Sequence, residues 1–249
     1  MGIIIKSDEE VKKIRSAGLI LAKTHELLAH ALKPGITTLE LDQIAEEFIR
    51  SQGAVPSFKG LYGFPASICT SVNEEVVHGI PSKDVKLKDG DIVGIDIGVC
   101  LDGLHADGAK THAIGEVPEE TKKLIQVTRE SFYKGIQYAK AGHHLYEISA
   151  AIQEYVEAHG FSVVRDLVGH GVGRKLHEEP QIPNYKVPGR GPKLQKGMVL
   201  AIEPMVNAGS YEVRILSNDT VVTRDGSLSA HYEHTIAITD GEPEILTKL

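Results

Sequence analysis

From Ser7 onward the apolar positions Val11, Ile14, Leu21, Leu28 and Leu32 recur at helical spacing until Pro34-Gly35 ends the run. Ser7 and Glu10 form a capping-box signature at its start, so a long amphipathic helix is predicted. Thr37 and Glu40 repeat the box, Leu41, Ile44, Phe48 and Ile49 line one face, and Gly53 ends a second helix. The Gly- and Pro-rich text from Pro56 to Pro65 reads as loop, and Ser67 to Val77 as strand ending at His78-Gly79-Ile80-Pro81. Pro118 with Glu119 and Glu120 opens another helix, reaching about Lys140.

Between these lies DIVGIDIGVCLDGLHADGAKT, Asp91 to Thr111. Val93, Ile95, Ile97 and Val99 alternate with Ile92, Gly94, Asp96 and Gly98, the period of a strand, and Asp102-Gly103 marks a hairpin turn. A two- or four-residue loop puts Asp96 and Asp107 on one face of adjacent strands, directly opposite or one diagonal apart. Two desolvated carboxylates at that separation repel unless positive charge neutralises them. Lys110 has the opposite parity from Asp107 and points to the other face, which leaves a bound metal pair as the simplest neutraliser.

The chain then repeats itself. PGITTLELDQIAEEFIRSQG (34–53) aligns without gaps to AGHHLYEISAAIQEYVEAHG (141–160), an offset of 107, and at the same offset KLKDGDIVGIDIGV (86–99) falls on KLQKGMVLAIEPMV (193–206). Asp96 lands on Glu203. With gaps, VVHG ending at Gly79 matches VGHG ending at Gly171, and His105-Ala106-Asp107 matches His231-Tyr232-Glu233, so His78 pairs with His170 and Asp107 with Glu233. Halves of this kind cannot easily bury their sheets alone; we expect one domain over 1–249, its halves approximately 1–115 and 116–249 joined edge to edge with the acids at the join.

Composition narrows the partners. Hydrophobic residues at 41% and charged residues at 24% are those of an ordinary soluble protein. A net charge of -7 argues against nucleic acid or an anionic membrane, and no apolar run approaches a membrane span or a signal peptide. Cys69 and Cys100 make no disulfide framework, which fits a reducing cytoplasm.

Asp96, Asp107, Glu203 and Glu233 with the imidazole of His170 form an oxygen-rich, dinuclear type of ligand set, suited to manganese, iron(II) or cobalt at least as well as zinc. Hydrolysis is the natural reaction class. Here the residues resemble a known family over nearly the whole chain: NEEVVHGIP (73–81), GDIVGIDIG (90–98), GHGVGRKLHEEPQIPNY (169–185), MVLAIEPMV (198–206) and SLSAHYEHT (227–235) are similar to the type I methionine aminopeptidases. The resemblance implies the α+β pita-bread fold: two pseudo-symmetric halves in one curved antiparallel sheet, with helices packed on its outer face.

It further implies that Asp96, Asp107, His170, Glu203 and Glu233 hold two divalent metal ions, with Asp107 and Glu233 bridging. His78 would hydrogen-bond the substrate backbone nitrogen, His177 the scissile carbonyl and its oxyanion, and Glu203 would shuttle protons. Phe64, Cys69 and His78, with Leu61 and Leu176, would line the methionine pocket. The implied substrates are N-termini of nascent polypeptides with a small second residue; the implied protein is cytoplasmic and monomeric, with a role that invites docking on the ribosome.

The chain departs from the family in having no Trp, reading Asn218-Asp219-Thr220 in the loop where relatives usually carry one; Ala106 and Gly108 flank Asp107, and Leu61 and Phe64 stand where hydroxylated or other aromatics are common. A proline-specific aminopeptidase of the same fold is one alternative, but the helix signal at Ser7 leaves no room for its N-terminal domain. A non-catalytic peptide-binding relative is another, yet such proteins lose ligands and all five stand here. The path from Glu203 to Glu233 leaves no space for the type II insertion, and no zinc-binding extension precedes Ser7.

Overall fold

The computed structural model describes residues 2–249. Its first half runs α1 (Asp8–Ala31), α2 (Thr38–Ser51), β1 (Val55–Pro56), β2 (Ile68–Val72), β3 (Glu75–Val77), β4 (Ile92–Leu101) and β5 (Leu104–Ala113). The second runs α3 (Glu119–Gly135), α4 (Leu145–Ala158), β6 (Ser162–Val163), β7 (Gly169–Gly171), β8 (Glu178–Ile182), β9 (Val199–Ile202), β10 (Met205–Asn207), β11 (Val213–Ile215), β12 (Val221–Thr223), β13 (Ser229–His231), β14 (His234–Ala237) and β15 (Glu244–Ile245). No described helix is long and apolar enough to cross a membrane.

Both capping boxes form. Ser7 Oγ accepts from the Glu10 amide at 3.2 Å while the Glu10 carboxylate accepts from the Ser7 amide at 2.9 Å, and Thr37 with Glu40 repeats the arrangement. At the repeat position of the second, Glu147 accepts from the His144 amide at 2.9 Å, while the His144 ring bonds the Gly191 carbonyl at 3.1 Å, so only half of the box recurs. The repeat continues into pairing: an isolated bridge joins Thr37 to Lys86 and another joins His144 to Lys193. Two strand and helix boundaries differ from expectation. The stretch from Ser67 splits into β2 and β3 because Asn73 turns the chain at φ 57°, and α3 ends at Gly135, followed by a 3-10 turn over Ile136–Tyr138.

β4 is the spine of the first half. Ile92, Val93, Ile95, Ile97 and Val99 are fully buried, each contributing about 1.5–3 kcal/mol by leaving water. One edge of β4 takes β1 and β2; the other takes β5 through the two-residue turn Asp102-Gly103, whose φ angles of 51° and 78° are those of a type I′ hairpin. α1 and α2 cover this sheet through Ile14, Leu21, Leu28, Leu41 and Ile49. In the second half the matching strands are interrupted. β9 stops at Ile202 and β10 resumes at Met205, because Pro204 has no amide to donate. Register is unchanged across the break: Ile202 pairs with His234 and Met205 with His231. Phe132, Ile148, Ile152, Leu200, Ile202 and Ile236 form the core beneath α3 and α4.

The halves meet where β5 lies against residues 231–235. Ala109 and Glu233 exchange both backbone hydrogen bonds, at 3.2 and 2.9 Å. On one side the Thr235 hydroxyl accepts from the Asp107 amide at 2.9 Å and donates to the Asp107 carbonyl at 2.8 Å. On the other the Thr111 hydroxyl does the same for His231, at 2.8 and 2.9 Å. The result is the antiparallel, helix-covered pita-bread fold.

Candidate metal centre

The two-residue turn sets the geometry of the acids. In β4–β5 register Asp96 faces Ala109 and Gly98 faces Asp107, so the carboxylates share a face one diagonal apart. Glu203 sits in the gap between β9 and β10, not mid-strand, and its carbonyl accepts a hydrogen bond at 3.1 Å from the buried Asn184 amide. Register places Glu233 opposite Glu203. The structural counterpart of Glu233 in the first half is therefore Ala109, and that of Asp107 is His231. Matching Asp107 to Glu233 by motif slid the strand by two residues, a shift that keeps every side chain on its face and so leaves both acids at the join.

Side-chain ligand atoms of Asp96, Asp107 and Glu233 lie within 4.8 Å of one another, as do those of His170, Glu203 and Glu233, and those of Asp107, His170 and His177. Glu233 belongs to the first two groups and is 2% exposed; Asp107 is 3% exposed. His170 Nε2 stands 3.5 Å from Asp107 Oδ2 and 3.6 Å from Glu203 Oε1. Its Nδ1 donates to the Gly171 carbonyl at 2.9 Å, which aims Nε2 at the acids. Glycine flanks His170 because a Cβ at 169 would meet the Ala201 carbonyl oxygen at 2.4 Å and one at 171 the Glu179 oxygen at 2.2 Å.

This cluster is electrostatically unbalanced on its own. Burial, then the charges of Asp107 and Glu203, push the Asp96 carboxyl well above the carboxylate range, and burial with the same two acids and Asp96 does so for Glu233. Burial raises Glu203 to about 8, against the pull of His170. Burial opposes charge on His170, but Asp107 and Glu203 outweigh it and raise the imidazole to about 9. Asp96 Oδ1, Glu233 Oε1 and His231 Nε2 are buried without hydrogen-bond partners. Inward-facing carboxylate oxygens with no donor, beside an imidazole already oriented by its other nitrogen, fit divalent cations.

The centre lies in a cavity of about 1000 Å³. Cys69 pairs with Asp96 in β2–β4 register, so its side chain lines the same face, and burial holds its thiol protonated. Leu61, Phe64 and His78 also line the cavity. Leu176 packs against this wall, in one apolar cluster with Phe58 and Cys69. His78 has the left-handed φ of 61°, and burial lowers its imidazole. His177 stands at the mouth, its ring stacked on Tyr62 at 6.2 Å and edge-on to His170 at 4.5 Å.

Two residues to which the sequence reading gave no role, Phe58 and His231, belong here, as does the loop noted for its missing Trp. Phe58 lies in the stretch read as loop, and its ring forms part of the apolar wall. Asn218 and Asp219 of that loop line the cavity. His231 lies 3.8 Å from Glu233 Oε2 and 4.0 Å from Glu203 Oε2; its signal was its place two residues before Glu233 in SLSAHYEHT.

Comparison with known proteins gives the chain a family. The sequence profile of metallopeptidase family M24 matches residues 12–240. A methionine aminopeptidase of Clostridium perfringens is 61% identical over 246 residues, 98% of each chain, and methionine aminopeptidase 1 of Bacillus subtilis is 60% identical over 248 residues, 99% of this chain and 100% of the relative. The crystal structure of methionine aminopeptidase from Thermotoga maritima superposes with a TM-score of 0.97 at 47% identity, covering 100% of both chains. The chain belongs to metallopeptidase family M24 and, within it, to the methionine aminopeptidases.

Proposed function

We propose that the protein removes the N-terminal methionine from polypeptides with a small second residue, using two divalent metal ions. The observation that carries this reading is the pair of ligand groups sharing Glu233 at the floor of a cavity whose adjoining wall is Phe58, Leu61, Phe64 and Cys69. An apolar wall beside a hydrolytic centre suits an unbranched thioether side chain. Asp96, Asp107 and Glu233 would hold one ion and His170, Glu203 and Glu233 the other, with Asp107, which also approaches His170, shared. Manganese, iron(II), cobalt and zinc all suit this donor set. When bound, the ions lower the pKa of water and polarise the scissile carbonyl.

The chain's own groups complete the chemistry. Glu203, which stands at the centre in the gap between β9 and β10, accepts the proton of the attacking water and delivers it to the leaving amine. His78, held largely neutral by burial, hydrogen-bonds the substrate backbone nitrogen. His177 at the mouth steadies the scissile carbonyl and the oxyanion that grows from it. His177 also has a ring nitrogen near Asp107 and His170, and we assign it to substrate rather than metal because it is exposed at the mouth. A larger second residue is expected to collide with the walls near the centre.

We further propose one domain over residues 1–249 acting as a cytoplasmic monomer on nascent chains, with no nucleic-acid sequence or membrane as partner; docking on the ribosome would bring it to them. Turnover of Met-Ala-Ser with and without chelator tests the activity. Release of methionine that stops on chelation and returns with added metal is the expected result.

A further inference from the structure

The catalytic cavity lies on the face to which Asp107 and Glu233 point. Side chains of opposite parity on the same strands point to the other face, and there a separate cavity of about 370 Å³ opens between β5, α3 and the C-terminal residues. Lys110 of β5, Arg129 of α3 and Lys248 line it. Arg129 Cζ and Lys248 Nζ stand 6.0 and 5.9 Å from the Tyr133 ring centroid, so both charges gather around one ring. None of these cations makes an ion pair among the described residues, although ion pairs occupy much of the remaining surface. Burial and the neighbouring Arg129 and Lys248 lower Lys110, with Glu26 the one acid that counters them.

The floor of this cavity is built and polar. The Tyr133 and Tyr232 hydroxyls lie 3.2 Å apart, Tyr232 meets His234 Nε2 at 3.0 Å, and His234 Nδ1 meets the Thr247 hydroxyl at 2.7 Å. His112, on the same face of β5 as Lys110, also lines the cavity, and its Nε2 is buried without a partner. In a chain of net charge -7, converging unpaired cations with an unused imidazole nitrogen between aromatic walls are a local device and not a property of the surface at large. Guanidinium and ammonium donors around a space of this size match a multiply charged oxyanion.

We propose that this cavity binds a small phosphate-bearing anion, on the opposite side of the sheet from the metal centre. The phosphate group sits among Lys110, Arg129 and Lys248, and Tyr133 offers its ring to any planar group attached. Free phosphate and a nucleotide share that chemistry, and the experiment separates them.

Inorganic phosphate and AMP are titrated by calorimetry into the metal-loaded, full-length protein at constant ionic strength, and then into Arg129→Gln, Lys248→Gln and the double variant. Both side chains are exposed, so neither substitution threatens folding. Each single substitution is expected to weaken binding about tenfold, and His177→Ala, at the other cavity, to leave it unchanged. AMP binding tighter than phosphate identifies a nucleotide-type ligand; equal affinities identify the phosphate group alone. Binding in the double variant within twofold of wild type, loss of binding in His177→Ala only, or no binding of either probe at millimolar concentration overturns the proposal.

Discussion

Ala109 and Glu233 exchange both of their backbone hydrogen bonds, and this reciprocal pair holds the two halves of the molecule together at the metal centre. Because Glu233 also belongs to two of the three ligand groups, the seam and the site share one residue. Thr235 locks the seam beside it through both backbone groups of Asp107. Thr235→Val keeps the shape and removes both bonds, leaving a buried amide and carbonyl unpaired. We expect a loss of about 1–3 kcal/mol in unfolding free energy and about 10- to 100-fold in metal affinity, read by denaturant titration and metal-binding calorimetry. Unchanged metal affinity would show that Asp107 is held by its strand alone.

Glu203→Gln separates the proton shuttle from the ligand. The amide keeps the size and one ligating oxygen but cannot carry a proton between water and amine. Turnover of Met-Ala-Ser, with metal in excess and occupancy verified, is expected to fall about 10²- to 10⁴-fold. Turnover within a few-fold of wild type would reduce Glu203 to a ligand and move the proton role to His78.

Much of this was legible because it is local or repeated. Ser7 and Thr37 cap their helices through residues three places on, and Asp102-Gly103 sets the register that places Asp96 and Asp107. What escaped depends on distant chain. His231 belongs to the centre only because register aligns it with Asp107, and motif alignment had paired that acid with Glu233 instead. Phe58 sits in text rich in glycine and proline, where nothing local says that its ring turns inward.

His78 and His170 are partners in the sequence repeat, but their surroundings differ. His170 faces Asp107 and Glu203 at 3.5 and 3.6 Å, whereas His78 lines the cavity wall. His170→Ala should lose metal affinity sharply, and His78→Ala should bind metal as wild type does and turn over slowly. Calorimetry and steady-state kinetics on the two variants check this. Equal losses of affinity would contradict the asymmetry.

Burial holds several histidines neutral: it drives His234 down to about 3, His112 to about 4, and His25 well below its ordinary range. Unfolded, each titrates near 6.5, so between that value and the folded one the unfolded chain binds more protons. Their stabilising contribution is complete above pH 6.5 and is lost as pH falls, at about 2 kcal/mol or less per histidine by pH 5. The thermal midpoint of the metal-loaded protein should therefore drop steadily from pH 7 to pH 5 in calorimetry. A midpoint that stays flat across that range would mean these imidazoles are protonated in the fold.

The most direct test is mass spectrometry of Met-Ala-Ser incubated with the protein as metal-loaded, chelated and re-metallated samples, with Met-Leu-Ser as the comparison peptide. The account predicts free methionine and Ala-Ser from the first peptide only, loss of the reaction on chelation, and its return with metal. Cleavage that survives complete metal removal, or equal cleavage of Met-Leu-Ser, would contradict it.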